Sequence, residues 1–159
     1  MIVILDNIRS NYNVGSIFRT ADAASVSKLY LCGYTPGPFD RFGRTNTALT
    51  KVSLGAEKTV QWEHADSVET VLDKLRRARY TIGALEQHAN SISLFDSARF
   101  ARTGPGSTIA LIIGNEVEGI SGDILDQCDV ILEIPMRGAK ESLNVSVAFG
   151  IAAYVLNNT

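Results

Sequence analysis

The chain predicts an α/β domain built on a mostly parallel sheet with helices on both faces. Three observations predict it. Short apolar runs alternate with helical patterns from one end of its 159 residues to the other, the order that parallel strands and their crossover helices require. Residues 130–134 (VILEI) read as a buried strand, and residues 145–156 (VSVAFGIAAYVL) are too apolar all round for a surface helix and belong to the interior. The polar residues with chemical potential fall where strands run into helices, which is where open parallel sheets bind ligands.

Taken in order, residues 2–5 are a strand, 14–24 a helix, 28–32 a strand and 58–62 a short strand. Residues 65–79 form an amphipathic helix with Val68, Val71, Leu72 and Leu75 inward, and residues 80–85 return as a strand. Residues 108–113, 119–128, 130–134 and 142–157 continue strand, helix, strand, helix. Two irregular stretches interrupt this. In residues 87–107, positions 91–95 pack locally and Gly104-Pro105-Gly106 is a turn before the next strand. Residues 33–50 mix Phe39 and Phe42 with Arg41 and Arg44, which suits base stacking with phosphate contact, or equally a long surface loop with its aromatics folded down.

Composition sets limits on function. With 45% hydrophobic residues the chain can bury a substantial core as one domain over residues 1–159, and no repeat or linker divides it. The start, MIVILDNIRSN, has too short an apolar run and too early an Asp for a signal peptide. No segment has the length of a membrane span, so a cytoplasmic protein with no membrane association is expected. Cys32, Cys128, His64 and His88 are scattered without a CxxC, so no metal site is expected.

The formal charge of −2 argues against a protein that coats nucleic acid through bulk electrostatics. Its distribution is uneven. Residues 1–58 hold seven Lys or Arg against four Asp or Glu, a balance of +3, and the remainder hold eight against thirteen, a balance of −5. An RNA partner would therefore lie along the N-terminal half, near Arg9, Arg41 and Arg44, unless these belong to an ordinary mixed-charge surface.

Three strand-end tracts carry the chemistry. Residues 114–121 spell G-x-x-x-x-G-I-S, one residue away from a phosphate loop. The phosphate-binding lysine is missing, and Glu116 and Glu118 would repel a polyphosphate. A cationic ligand suits the loop better, and the absence of G-x-G-x-x-G after the first strand argues against a dinucleotide-dependent oxidoreductase. Arg19 either pairs with Asp22 at i,i+3 or sends its stem toward the strand-end crevice. The third tract, residues 134–146 (IPMRGAKESLNVS), joins a rigid turn to a buried helix, so Ser142 and Asn144 need partners, as caps or as ligand contacts.

Three tracts together, residues 7–23 (NIRSNYNVGSIFRTADA), 112–120 (IIGNEVEGI) and 134–136 with 142–148 (IPM, SLNVSVA), resemble the ordered motifs of the SpoU (TrmH-like) RNA ribose methyltransferases of the SPOUT class. The likeness runs over essentially the whole chain. It implies a parallel α/β fold whose C-terminal segment threads a deep trefoil knot, S-adenosylmethionine held in the knotted loops, and a homodimer whose site borrows groups across the interface. Position by position it implies donor contacts at Gly114, Ile134 and Leu143, with Met136 in the same pocket and Leu85 on the adenosine side. Asn13, Arg19, Glu116, Ser142 and Asn144 match the family's polar catalytic set. Relatives often append an RNA-binding domain; none is expected here, which leaves the choice of RNA open.

The implied reaction methylates a ribose 2′-hydroxyl of tRNA or rRNA. A base-directed methyltransferase of the same class and a non-catalytic RNA-binding module are the alternatives. Arginine is a poor base because it stays protonated, so Arg19 is read as an electrostatic clamp, with a substrate phosphate or water accepting the proton.

Overall fold

The computed structural model describes residues 1–99 and 109–157. Among the described residues seven strands run parallel, in the order β3-β2-β1-β6-β4-β7-β5. They are β1 (Ile2–Asp6), β2 (Lys28–Cys32), β3 (Trp62–Ala65), β4 (Thr81–Leu85), β5 (Ile92–Ser93), β6 (Ile109–Ile113) and β7 (Val130–Glu133). The helices are α1 (Asn11–Ala23), α2 (Thr47–Ser53), α3 (Val68–Arg77), α4 (Gly122–Leu125) and α5 (Val145–Asn157).

Side chains along a strand alternate between its two faces, and the sheet uses that alternation to build two cores. On one face Val3, Leu5, Leu29, Leu31, Leu111 and Ile113 meet Ile17 and Phe18 of α1 and Phe149, Ala152 and Ala153 of α5. On the other, Ile4, Cys32, Ile82 and Ile112 meet Val71, Leu72 and Leu75 of α3 and Ile124 of α4. Helices thus cover both faces, as the alternating pattern predicts. Each large side chain buried in this way contributes about 1.5–3 kcal/mol.

Register aligns the strand ends that matter for function. Leu5 pairs with Ile113 across β1 and β6, Leu85 with Ile113 across β4 and β6, and Leu85 with Leu132 across β4 and β7. The residues that follow these strands therefore emerge side by side along one edge.

Several boundaries depart from the sequence reading. The strand expected over 58–62 is instead a 3-10 turn, Ala56–Lys58, followed by β3. Val60 is drawn into the core, and β3 is an edge strand with Glu63 and His64 exposed, which hid its signal. The helix expected over 65–79 is shorter because Ser67 caps it, accepting from the Thr70 N–H. Helix 119–128 shrinks to α4, since Gly119 sits at φ 66° and its N–H closes a turn onto the Asn115 carbonyl at 3.1 Å. Helix 14–24 starts earlier, at Asn11, because the Ser10 hydroxyl caps the Asn13 N–H.

Within the stretch read as irregular, α2 follows Asn46, whose side chain caps the Leu49 N–H. The second irregular stretch contains β5 and a 3-10 turn, Leu94–Arg99. The turn expected at Gly104-Pro105-Gly106 lies outside the described residues. Finally α5 begins at Val145, not at 142, and is not interior all round: Val147 is 51% exposed. Among the described residues no helix is long and apolar enough to cross a membrane.

Candidate functional site

A cleft of about 620 Å³ opens over the carboxyl ends of β4, β6 and β7. Its size falls within the roughly 300–1,000 Å³ of small-molecule sites. Leu85, Gly114, Ile134, Met136 and Leu143, the five positions expected to hold a cofactor, all line it, as do Glu116, Ser142 and Asn144.

The register explains this convergence. Leu85 and Ile113 are the last residues of paired strands, so Glu86 and Gly114 leave the sheet together, and Ile134 leaves β7 beside them. At Gly114 a side chain would not fit: a Cβ would meet the Gly119 carbonyl carbon at 2.5 Å and its oxygen at 2.7 Å. The loop of residues 115–119 folds back on this close approach. Asn115, nearly fully buried, holds it by accepting from the Val117 and Glu118 N–H groups at 2.9 and 2.8 Å.

Polar groups at the lip form one ordered chain. A carboxylate can only accept, so Glu116 Oε1 takes the Asn13 Nδ2–H at 2.7 Å. Asn13 Oδ1 is then turned to accept from Asn144 Nδ2 at 3.1 Å. Asn144 Oδ1 in turn accepts from the Ser146 N–H at 2.9 Å and its hydroxyl at 2.7 Å. Asn144 is thus the N-cap of α5 and a member of the site at once. The first turn of α1, the β6 loop and the start of α5 are tied together by these bonds. The Arg9 N–H adds a longer contact to Glu116 Oε2 at 3.5 Å.

Two expected members stand differently. Ser142 lines the cleft but is exposed and not a cap. Arg19 lies exposed on α1, outside the cleft lining, and forms no ion pair with Asp22, whose carboxylate takes the Thr59 hydroxyl at 2.6 Å. Within one chain, therefore, Arg19 does not join the other four.

Two residues that the sequence reading did not single out hold the cleft together. Glu86 Oε2 accepts from the Ile120 N–H at 3.0 Å, and its Oε1 from the Gln87 N–H at 2.9 Å, clasping the β6 loop from β4. Gln87 Nε2 donates to the Glu141 carbonyl, bringing the tract after β7 alongside the end of β4. The register of β4 on β6 makes these contacts, and no local pattern announces it.

Among the described residues the lining contains five glutamates, at 86, 116, 118, 133 and 141, and no lysine or arginine. That set rejects a polyphosphate, as the missing P-loop lysine implied, and suits a ligand with a cationic centre and an apolar body resting on Leu85, Ile113, Ile134 and Leu143. A second cavity of about 400 Å³ adjoins it, sharing Asn115, Glu118 and Gly119 and adding Asp6, Asp66 and Glu69. Burial first, and Glu69 second, hold the Asp6 carboxyl above its ordinary value, against the opposing pull of its hydrogen bond from Asn7. Among the described residues no three His, Cys, Asp or Glu side chains are grouped so that they could hold a metal ion.

Fold and site together define a parallel α/β domain with an acidic and apolar cleft at its strand ends, beside an amide-lined lip. The SpoU rRNA Methylase family model matches residues 1–154, and the chain belongs to that family. It is 32% identical over 155 residues to a 23S rRNA (guanosine-2′-O-)-methyltransferase, RlmB, of Ralstonia nicotianae, covering 97% of this chain and 57% of that protein. The chain thus spans little more than half the length of that curated relative.

Among solved structures, an AdoMet-bound rRNA methyltransferase from Sinorhizobium meliloti superposes with a TM-score of 0.83 at 25% identity, covering 99% of this chain and 55% of that one. A structure concerned with 2-OH methylation of C/U34 on tRNA gives 0.76 at 27% identity, covering 98% of this chain and 92% of that one.

Proposed function

We propose that residues 1–159 act as a single methyltransferase domain that moves a methyl group from S-adenosylmethionine to a ribose 2′-hydroxyl of tRNA or rRNA. The observation that carries this reading is the chain of hydrogen bonds from Glu116 through Asn13 to Asn144 at the lip of an acidic and apolar cleft. It unites the three tracts on which the family likeness rests. The longer relative is by name a 23S rRNA (guanosine-2′-O-)-methyltransferase, and the solved chain of matching extent concerns 2-OH methylation of tRNA. Because RNA is the substrate, we place the protein in the cytoplasm.

Leu85, Ile134, Met136 and Leu143 would hold the cofactor's apolar body, and the Gly114 loop its polar edge. Bound there, S-adenosylmethionine supplies a methyl group activated by its sulfonium charge. Asn13, Ser142 and Asn144 orient the ribose hydroxyl, and alignment of this kind supplies much of such a rate. Glu116 fixes Asn13 and complements positive charge. The hydroxyl proton passes to a substrate phosphate oxygen or to water, while Arg19 clamps that phosphate.

For Arg19 to reach the site, a second copy must bring it, so the active form is a homodimer. Support comes from the apolar side chains left on the outside of the α1–α5 layer, Tyr12 (67% exposed) and Val147. The trefoil knot belongs to the same proposal. β4 and β5 are joined by residues 86–91, yet β7 lies between them in the sheet, and Gln87 hydrogen-bonds the tract after β7 at the Glu141 carbonyl.

Incubation with labelled cofactor and cellular RNA, then alkaline hydrolysis, should leave label in hydrolysis-resistant dinucleotides. Label confined to bases would reassign the enzyme as base-directed. RNA binding without any transfer would make it a non-catalytic module.

A further inference from the structure

The loop of residues 39–45 carries two exposed aromatic rings, Phe39 and Phe42. Asp40 organises it: Oδ1 accepts from the Phe42 and Arg44 N–H groups at 2.8 and 2.9 Å, and Oδ2 pairs with Arg44 Nε at 2.7 Å. A bridge between Phe39 and Thr45 closes its base, and Gly43 takes the turn at φ 77°, where a side chain would be strained. Phe39 leans on Trp62, with ring centroids 6.4 Å apart, which anchors one end.

Phe42 is the more exposed of the two rings, 67% against 48% for Phe39. The guanidinium groups of Arg41 and Arg44 lie 4.8 and 5.1 Å from its ring centroid. The ring packs no core, and the Asp40 bonds and the two flanking guanidinium groups hold it in place at the surface.

The loop also stands on the catalytic helix. Asn46 Nδ2 donates to Asn11 Oδ1 at 2.6 Å and to the Gly37 carbonyl at 3.2 Å, and Asn11 opens the turn of α1 that carries Asn13. A second aromatic–guanidinium pair, Arg9 with Tyr34 at 5.8 Å, lies beside Glu116 through the Arg9 backbone contact. Unpaired bases stack on aromatic rings and on guanidinium planes, whereas a duplex hides those faces. Positive charge around each ring favours a polyanion over an apolar protein surface.

We propose that Phe42, with Arg41 and Arg44, is a stacking platform for an unpaired base beside the ribose to be methylated, so that the domain selects single-stranded RNA. This rests on the reading of RNA as substrate. Phe42 supplies stacking, Arg44 is held by Asp40 as part of the platform, and Arg41, which forms no ion pair among the described residues, contacts phosphate.

Fluorescence anisotropy of the full chain with a labelled oligoadenylate of about 12 nucleotides, in the absence of methyl donor, tests it. Phe42→Ala should weaken binding about tenfold without changing its salt dependence, and Phe42→Trp should restore it. Arg41→Ala should weaken binding and reduce the log–log salt slope by about 0.7. The corresponding duplex should bind more weakly and ignore Phe42→Ala. Wild-type binding by Phe42→Ala, failure of Phe42→Trp to restore it, preference for the duplex, or equal competition by polyglutamate would each overturn the platform. Stacking-dependent binding with no RNA methylated would sink the reaction and leave the platform standing; ribose methylation with Phe42→Ala binding normally would do the reverse.

Discussion

Asn13 and Glu116 are separated by 103 positions in the chain and joined by a 2.7 Å hydrogen bond in the fold, Asn13 Nδ2 donating to Glu116 Oε1. This bond sets the direction of the bonds that run on through Asn144, because reversing the Asn13 amide would face oxygen against carboxylate. The α5 cap, Asn144, is oriented through it.

Replacing Asn13 should therefore separate activity from stability. The lip is exposed to solvent, so Asn13→Ala is expected to cost about 1 kcal/mol in denaturant unfolding. Its kcat/KM should fall about a hundredfold, since a misplaced ribose loses alignment rather than binding. Equal losses in both measurements would mean that the bond is structural.

At Gly114 the expectation is reversed. A methyl group there meets the Gly119 backbone as well as the Ile120 side chain, and the backbone cannot yield cheaply. Gly114→Ala should cost about 1–3 kcal/mol of stability through overpacking, and calorimetry should register weaker S-adenosylmethionine binding as the loop is pushed outward.

Asp6 provides a pH test. Its carboxyl is held above its ordinary value mainly by burial and next by Glu69. A carboxyl raised by folding is penalised when it ionises, so its contribution is most favourable below its unfolded pKa of about 3.9 and is lost as pH rises through the higher folded value. Asp6→Asn removes that loss while its amide oxygen can still accept from Asn7. The variant should be the more stable protein at neutral pH by urea unfolding, with the advantage vanishing in acid.

Much of this fold was legible because buried parallel strands announce themselves as continuous apolar runs. β1, β2 and β7 fall where IVIL, KLYLC and VILE place them. What escaped was set by capping and by edges: Ser67 and Asn46 decide where α3 and α2 begin, and the exposed edge strand β3 has a mixed Trp-Glu-His-Ala sequence. For the site, the tracts around Asn13, Glu116 and Asn144 were visible, and the fold brings them together. Glu86 and Gln87 were not, because their partners are backbone groups at Ile120 and Glu141, fixed by register. Arg19 was visible, but a single chain does not carry it to the cleft.

Arg19 yields a test of the dimer. Arg19→Ala and Asn13→Ala should each be nearly inactive alone while still binding cofactor. If Arg19 serves the site of the partner, mixing equal amounts and allowing exchange gives half heterodimers with one intact site of two, and about a quarter of wild-type activity. No recovery on mixing would place Arg19 and Asn13 in the same chain's site, or Arg19 outside the reaction.

The most direct measurement uses S-adenosylmethionine carrying a trideuterated methyl group. The full chain is incubated with total tRNA and rRNA, the RNA is digested to nucleosides, and each labelled nucleoside is fragmented in the mass spectrometer. The label is predicted on the ribose fragment, and about a hundredfold slower to accumulate when Asn13→Ala replaces the wild type. Label on the base fragment, or none on any nucleoside, would contradict the account.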